Sequence, residues 1–229
     1  MPAADAPRQL RFLLAEPERR LLRAIAARLP RRVAPDHLTV LGIVAAVGIA
    51  AAYALSNGSN TWLWVASALL VVHWLGDSLD GTLARVRGIE RPRYGYYLDH
   101  LVDALATACI GIGLGLSPHM LLIVGVLVVV AYLVLSINTY LETQALGTFD
   151  LGYGFIGPTE VRLLLVALNT LIAAGVAPRL EVAGTTLGTL DLAGVAVIAL
   201  MAVALAVRAA RNLRELARRE PPPGYSACS

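Results

Sequence analysis

Asp77-Ser78-Leu79-Asp80-Gly81-Thr82-Leu83-Ala84-Arg85, followed after nine residues by Gly95-Tyr96-Tyr97-Leu98-Asp99-His100-Leu101-Val102-Asp103, decides how this chain is read. Each half carries two aspartates at a spacing of three or four, which puts each pair on one face of its own helix. Apolar runs too long for an ordinary core lie on both sides of the stretch. Carboxylates beside a membrane span are costly and point to function. Four of them converging near one point would repel each other unless cations held them. Hard divalent ions such as Mg²⁺, which take oxygen ligands, are the natural partners.

Working outward, the composition agrees with a membrane setting. Hydrophobic residues make up 57% of the chain and its mean hydropathy is +0.67. Soluble domains hold about 45–50% apolar residues. Length and composition predict six transmembrane helices, over 38–55, 62–79, 98–116, 120–140, 161–176 and 190–207, the fifth being the shortest. The first apolar run begins only after an arginine-rich stretch, so no signal peptide is expected. Short hairpins between spans predict a single helical bundle. The organisation read from this is an N-terminal segment over 1–37, a six-span core over 38–210 and a C-terminal tail over 211–229.

Charge predicts the orientation. All nineteen basic residues are arginine. Eight precede Leu38, four lie at Arg85, Arg87, Arg91 and Arg93, and five run from Arg208 to Arg219. The loops at 57–60 and 117–119 have none, and that at 177–189 has Arg179 alone. The positive-inside rule puts both termini and the aspartates on the cytoplasmic side, which an even number of spans also requires. From Pro17 to Leu29 the chain reads as an amphipathic interfacial helix. Leu21, Leu22, Ile25 and Leu29 form its apolar stripe, and Arg19, Arg20, Arg23 and Arg28 flank it. Such a helix attracts anionic lipid and is not read as a nucleic-acid binder. The proline-rich end from Glu220 onward is expected to be disordered. Cys109 lies within a span and Cys228 in the tail, so no disulfide is expected.

The central stretch resembles the signature of the CDP-alcohol phosphotransferase family, D-x2-D-G-x2-A-R-x(8–9)-G-x3-D-x3-D. Asp77, Asp80, Gly81, Ala84, Arg85, Gly95, Asp99 and Asp103 stand at its fixed positions. The resemblance implies transfer of a phospho-alcohol group from a CDP-alcohol to a second alcohol, with release of CMP. It assigns Asp77, Asp80, Asp99 and Asp103 to one or two divalent ions, Mg²⁺ or Mn²⁺. These would neutralise charge on the pyrophosphate and the leaving group. Gly81 lets a nucleotide approach the helix closely, and Ala84, one turn on, keeps that face clear. Arg85 is placed to meet a phosphate with its forked guanidinium. Gly95 opens the start of the third span in the same way. Asp36 and Thr39, at the inner start of the first span, are donor-site candidates; Asp36 could equally cap its helix.

The acceptor hydroxyl needs a general base. The wider family assigns that role to the last aspartate, here Asp103. The step Asp99-His100 resembles the choline and ethanolamine phosphotransferases, where the matching histidine is a candidate, and histidine chemistry suits the task. Both candidates stay open, with Asp103 first. Thr159-Glu160-Val161 resembles the same enzymes. Glu142, Glu160 and Arg162, at the inner ends of the fourth and fifth spans, are expected to line an acceptor pocket beside the metals. Arg162 opposes the dipole of the helix it begins, so it needs another reason, which an anionic substrate group or a lipid phosphate would supply.

The reading is thus an all-α integral membrane enzyme of phospholipid synthesis. Its donor is expected to be CDP-diacylglycerol, and its setting a bacterial inner membrane, where it works as a homodimer. The alternative uses a soluble CDP-alcohol such as CDP-choline with a diacylglycerol acceptor. A cation transporter is the remote rival: transporters bind ions near mid-membrane at broken helices, whereas these aspartates are expected at the cytoplasmic ends of their spans, beside a phosphate-type arginine.

Overall fold

The computed structural model describes residues 15–147, 157–182 and 184–221. Among them are seven α-helices and one two-stranded hairpin. The helices are α1 (Ala15–Arg28), α2 (Pro35–Leu55), α3 (Trp62–Arg87), α4 (Pro92–Gly115), α5 (Leu122–Leu146), α6 (Pro158–Ala173) and α7 (Thr189–Arg219). Between α6 and α7, β1 (Arg179–Val182) pairs antiparallel with β2 (Thr185–Gly188). This hairpin, in a segment read as plain loop, is the one departure from an all-helical chain among the described residues. Gly184, just before β2, stands at φ +80°, a conformation that suits glycine.

Five helices, α2, α3, α4, α5 and α7, are long and apolar enough to cross a membrane. α6 has 16 residues and measures roughly 24 Å, short of a hydrocarbon core of about 30 Å. The structure therefore supports a multi-pass helical protein with five clear spans and one short helix beside them. Outer faces are apolar along much of their length, with Val40, Val44 and Val47 of α2 and Leu200, Val203 and Val207 of α7 all exposed. In water such a surface would aggregate; against lipid it is the solvent-facing side.

Small residues let the helices approach closely, as membrane bundles require. A Cβ on Gly76 of α3 would stand 2.7 Å from Gly42 N and from Leu38 O of α2. Gly113 of α4 sits on Ala50 of α2, and Gly111 of α4 on Gly125 and Val129 of α5. One core joins Ile49, Tyr53, Leu63, Leu70, Leu114, Val124, Ile172 and Leu190. Within it Asn169 donates to Tyr53 Oη and Ser67 Oγ, both at 3.1 Å. A second, smaller core joins Leu22 and Ala26 of α1 to Leu38, Leu79 and Leu83. It lies beside the aspartates.

Four helices outrun the spans expected of them, among them α4, which begins at Pro92, and α5, which runs to Leu146. α3 continues two turns past residue 79 to Arg87, and α7 reaches Arg219, inside the segment read as tail. Arginine is a good helix former, and basic residues in a last turn favour the helix dipole. The aspartates consequently lie two to three turns inside their helices rather than at the ends. The expected disorder of the proline-rich tail and the place of Cys228 fall mostly or wholly outside the described residues.

Candidate active site

α3 and α4 both pack on α2 and bring the two halves of the motif together. Asp77 and Asp80 come from the inner half of α3, and Asp99 and Asp103 from the first half of α4. Asp80 interacts through space with Asp77 and Asp99. Asp103 interacts with Asp77 and Asp99 and lies within hydrogen-bonding reach of Asp77. Asp77 and Asp99 are thus common neighbours of the other two. Arg162, in the first turns of α6, closes the cluster: its Nη2 donates to Asp77 Oδ2 at 2.6 Å. Both side chains are mostly buried, 14% and 20% exposed. The partner of Arg162 is therefore an aspartate of the motif, rather than the substrate group or lipid phosphate expected of it.

Residues of α2 reach the same cluster. Thr39, buried, donates from Oγ1 to Asp80 Oδ2 at 2.7 Å. Asp36 faces away to Arg91, whose Nη2 lies 2.7 and 2.9 Å from its two oxygens. That guanidinium also stacks 3.8 Å over Tyr94. His37 rather than Asp36 closes the start of α2, its Nδ1 accepting from Ala34 N at 3.2 Å.

The motif glycines differ from the packing glycines. A Cβ on Gly81 would meet Arg85 alone, the guanidinium Nη1 at 3.4 Å, and one on Gly95 would meet nothing within 4 Å. Each sits inside a helix, where glycine costs about 0.5–1 kcal/mol relative to alanine. No neighbouring backbone demands their small size, so they leave free space along both helices. Ala84 is half-buried and Arg85 exposed, with Arg85 Nη2 donating to Thr82 Oγ1 at 3.1 Å.

His100 stands at the edge of the cluster. Its Nδ1 is 2.7 Å from the carbonyl of Tyr96. A carbonyl only accepts, so Nδ1 carries the proton and Nε2 of the neutral ring keeps a lone pair. The ring packs on Tyr96, with centroids 4.2 Å apart, and edge-on to Tyr140 at 5.3 Å. Asp99 Oδ2 lies 3.9 Å from its Nδ1. Asp103 is the more central of the two base candidates.

The three residues read as an acceptor pocket separate in the structure. Arg162 joins the aspartates. Glu160 Oε2 accepts from Gly157 N at 2.9 Å and caps its own helix. Glu142, buried, accepts from Arg208 Nε at 3.0 Å and Asn212 Nδ2 at 2.9 Å, both on α7. Arg208 and Asn212 were not singled out in the sequence, although their spacing of four places them on one face. A cleft of about 770 Å³ opens there, with Glu142, Arg211, Arg214 and Arg218 in its wall.

Four carboxylates face one region, and hard oxygen donors of that kind match Mg²⁺ or Mn²⁺. Among the described residues no three His, Cys, Asp or Glu side chains are gathered tightly enough to hold an ion as they stand. Two of the four are engaged elsewhere, Asp77 by Arg162 and Asp80 by Thr39.

Sequence reasoning missed Glu18. Its Oε1 accepts from Trp74 Nε1 at 2.6 Å and Thr159 Oγ1 at 2.9 Å, tying α1 to α3 and α6. A signal was present: Glu18, Leu22, Ile25 and Leu29 follow at spacings of four, three and four. The acid therefore lies on the buried stripe of α1, where a charge needs a partner.

The fold and this site define a helical protein with several membrane-length spans and an acidic site joined by an arginine near one end of the bundle. A family model described as CDP-alcohol phosphatidyltransferase matches residues 32–208, and the chain belongs to that family. It is also similar to a phosphatidylinositol phosphate synthase of Cutibacterium acnes, 34% identical over 90 residues. That match covers 39% of this chain and 41% of the relative.

Proposed function

We propose that the protein transfers a phosphatidyl group from CDP-diacylglycerol to a polar acceptor alcohol, releasing CMP, in phospholipid synthesis. The observation that carries this is the meeting of the two motif halves, with Arg162 bonded to Asp77. The match to a phosphatidylinositol phosphate synthase supports a phosphorylated polyol as acceptor.

In this reading Asp77, Asp80, Asp99 and Asp103 hold one or two divalent ions. Bound there, Mg²⁺ or Mn²⁺ would supply positive charge to the pyrophosphate and the departing CMP. Gly81, Ala84 and Gly95 leave room for the nucleotide, Arg85 meets a phosphate, and Thr39 orients Asp80. Asp36 holds the donor side through Arg91. The acceptor oxygen bonds to the lipid-bearing phosphorus while the bond from that phosphorus to the bridging oxygen breaks. CMP leaves with the electron pair, and the hydroxyl proton passes to Asp103, or to Nε2 of His100. Arg162 serves the acceptor's anionic group, and Glu160 caps the helix that carries it.

The arginine distribution supports placing this end of the bundle, with both termini, in the cytoplasm of a bacterial cell. With that orientation α6 completes a sixth crossing, its shortness met by local thinning of the bilayer. α1 rests at the membrane surface beside anionic lipid, and the protein works as a homodimer. The Asp99-His100 step supports a second reading, a soluble CDP-alcohol donor with diacylglycerol as acceptor. Purified protein in proteoliposomes, offered CDP-diacylglycerol or CDP-choline with several acceptors, decides between them by CMP release and mass spectrometry of the lipid product. Absence of CMP release with every pair would sink both.

A further inference from the structure

α1 is held to the bundle by more than apolar contact. Leu22 and Ala26 bury against α3, and Arg87 on the last turn of α3 donates to the carbonyls of Leu29, Pro30 and Val33 just past α1. At the other end stands Glu18. One oxygen, Oε1, accepts from Trp74 Nε1 at 2.6 Å, from Thr159 Oγ1 at 2.9 Å and, over a longer 3.4 Å, from Ser78 Oγ. Between these two anchors α1 covers the same stretch of α3, from Trp74 to Arg87, and runs in the same direction.

The partners of Glu18 are placed next to the site. Ser78 follows Asp77 in α3, and Thr159 precedes Arg162 by about one turn in α6. Asp77 and Arg162 are themselves the 2.6 Å ion pair. α3 and α6 are therefore joined twice at one level, directly by Asp77 and Arg162 and, alongside, through the Glu18 carboxylate. Hydrogen bonds to an ionised acceptor are roughly twice as strong as neutral ones. A single carboxylate oxygen with donors from two helices fixes their separation, because neither donor can withdraw without losing its bond.

We propose that Glu18 is a positioning residue: through Thr159 and Trp74 it sets the first turn of α6 against α3 and so places Arg162 beside Asp77. This rests on the reading that Arg162 serves the acceptor. The interfacial helix then has a part in the transfer reaction, as the splint on which the acceptor side of the site is aligned. Glu18 touches neither substrate nor ion.

The test uses the full chain purified in detergent, in four variants: Glu18→Ala, Glu18→Gln, Thr159→Val and Trp74→Phe. Thr159→Val removes the α6 branch alone and leaves α1 bonded to α3. Amide hydrogen exchange over 158–165, read without substrate, should rise in Glu18→Ala and Thr159→Val. Acceptor KM should rise about tenfold in both, the order lost with one hydrogen bond to a charged group, and kcat should change less. Glu18→Gln keeps an accepting oxygen but not the charge, and should lie between wild type and Glu18→Ala in both readouts. Combining Glu18→Ala with Thr159→Val should add little to either alone. If Thr159→Val is silent while Glu18→Ala and Trp74→Phe act alike, Glu18 merely anchors α1 and the proposal is overturned. Increased exchange with an unchanged acceptor KM overturns it equally. A wild-type protein inactive on every CDP-alcohol sinks the functional reading instead, and the exchange data then decide this one alone.

Discussion

Replacing Arg162 by alanine removes the cation that faces the aspartate cluster from α6. Its Nη2 lies 2.6 Å from Asp77 Oδ2, and both side chains are mostly shielded from water. It also interacts through space with Asp103. A hydrogen bond between charged groups in such a setting is worth about 1.5–3 kcal/mol, which corresponds to about 10- to 150-fold in affinity or rate. If Arg162 serves the acceptor, that loss falls on the acceptor: its apparent KM rises by this factor and the KM for the CDP-alcohol hardly moves. Arg162→Lys keeps the charge but not the fork, and should lie between wild type and alanine. Initial rates of CMP release in proteoliposomes, with each substrate varied in turn, give both constants. The contact with Asp77 defines the competing outcome. If Arg162 acts by orienting Asp77 as a metal ligand, the CDP-alcohol KM and the Mg²⁺ requirement shift together with the acceptor KM. Equal shifts in all three would refute the acceptor assignment.

Asp77→Asn, Asp80→Asn and Asp99→Asn should each abolish most turnover while leaving thermal unfolding near that of wild type; full activity in EDTA, with no metal found by elemental analysis, would overturn the metal role. Loss of a general base costs about 10²–10⁴ in rate, so Asp103→Asn should fall by that much with CDP-alcohol binding retained. Should Asp103→Asn turn over normally while His100→Ala does not, the base is His100 and Asp103 loses that role. Asn169→Leu strands the hydroxyls of Tyr53 and Ser67 in the core; at about 1–3 kcal/mol for each unsatisfied group, it should lower the melting temperature and leave the KM values alone.

The sequence made the aspartate pairs legible because helical spacing and composition alone place them. Asp77 with Asp80, and Asp99 with Asp103, do lie on two helices that bring them together. Contacts between distant helices were harder to read. Nothing in the order of residues says that Arg162 turns to Asp77 while Glu142 turns to Arg208 and Asn212. Three charges at the inner ends of adjacent spans looked like one pocket, but their direction around each helix decides their partners. Helix ends failed for another reason. Hydropathy falls where arginines begin, yet an arginine-rich segment remains a good helix, so α3 and α7 ran past the predicted limits. The hairpin was hidden by its brevity, with four residues in each strand. Glu18 is legible in principle from its place on the apolar stripe of α1, but the arginines around it point to lipid.

The glycines show how a tight bundle and an open site coexist. Gly42, Gly76, Gly111, Gly113 and Gly125 lie in seams where an added Cβ would press on a facing helix, in most of them at under 3 Å. Gly42 is the milder case, with 3.6 Å to the backbone of Asp77. These contacts set the distances of α3 and α4 from α2, and of α5 from α4. Gly81 and Gly95 use the same residue type to the opposite end, since an added Cβ would meet a flexible guanidinium or nothing. The seams hold the helices rigidly, and that rigidity keeps the space beside Gly81 and Gly95 from closing. Four carboxylates repel one another, and without close backbone packing on α2 the pair α3 and α4 could relax that repulsion by moving apart. The packing of Gly76 against Gly42, immediately before Asp77, removes that option at the point where the first carboxylate enters the site. Opposite charge relieves that repulsion, and Arg162 supplies one part of it within the chain.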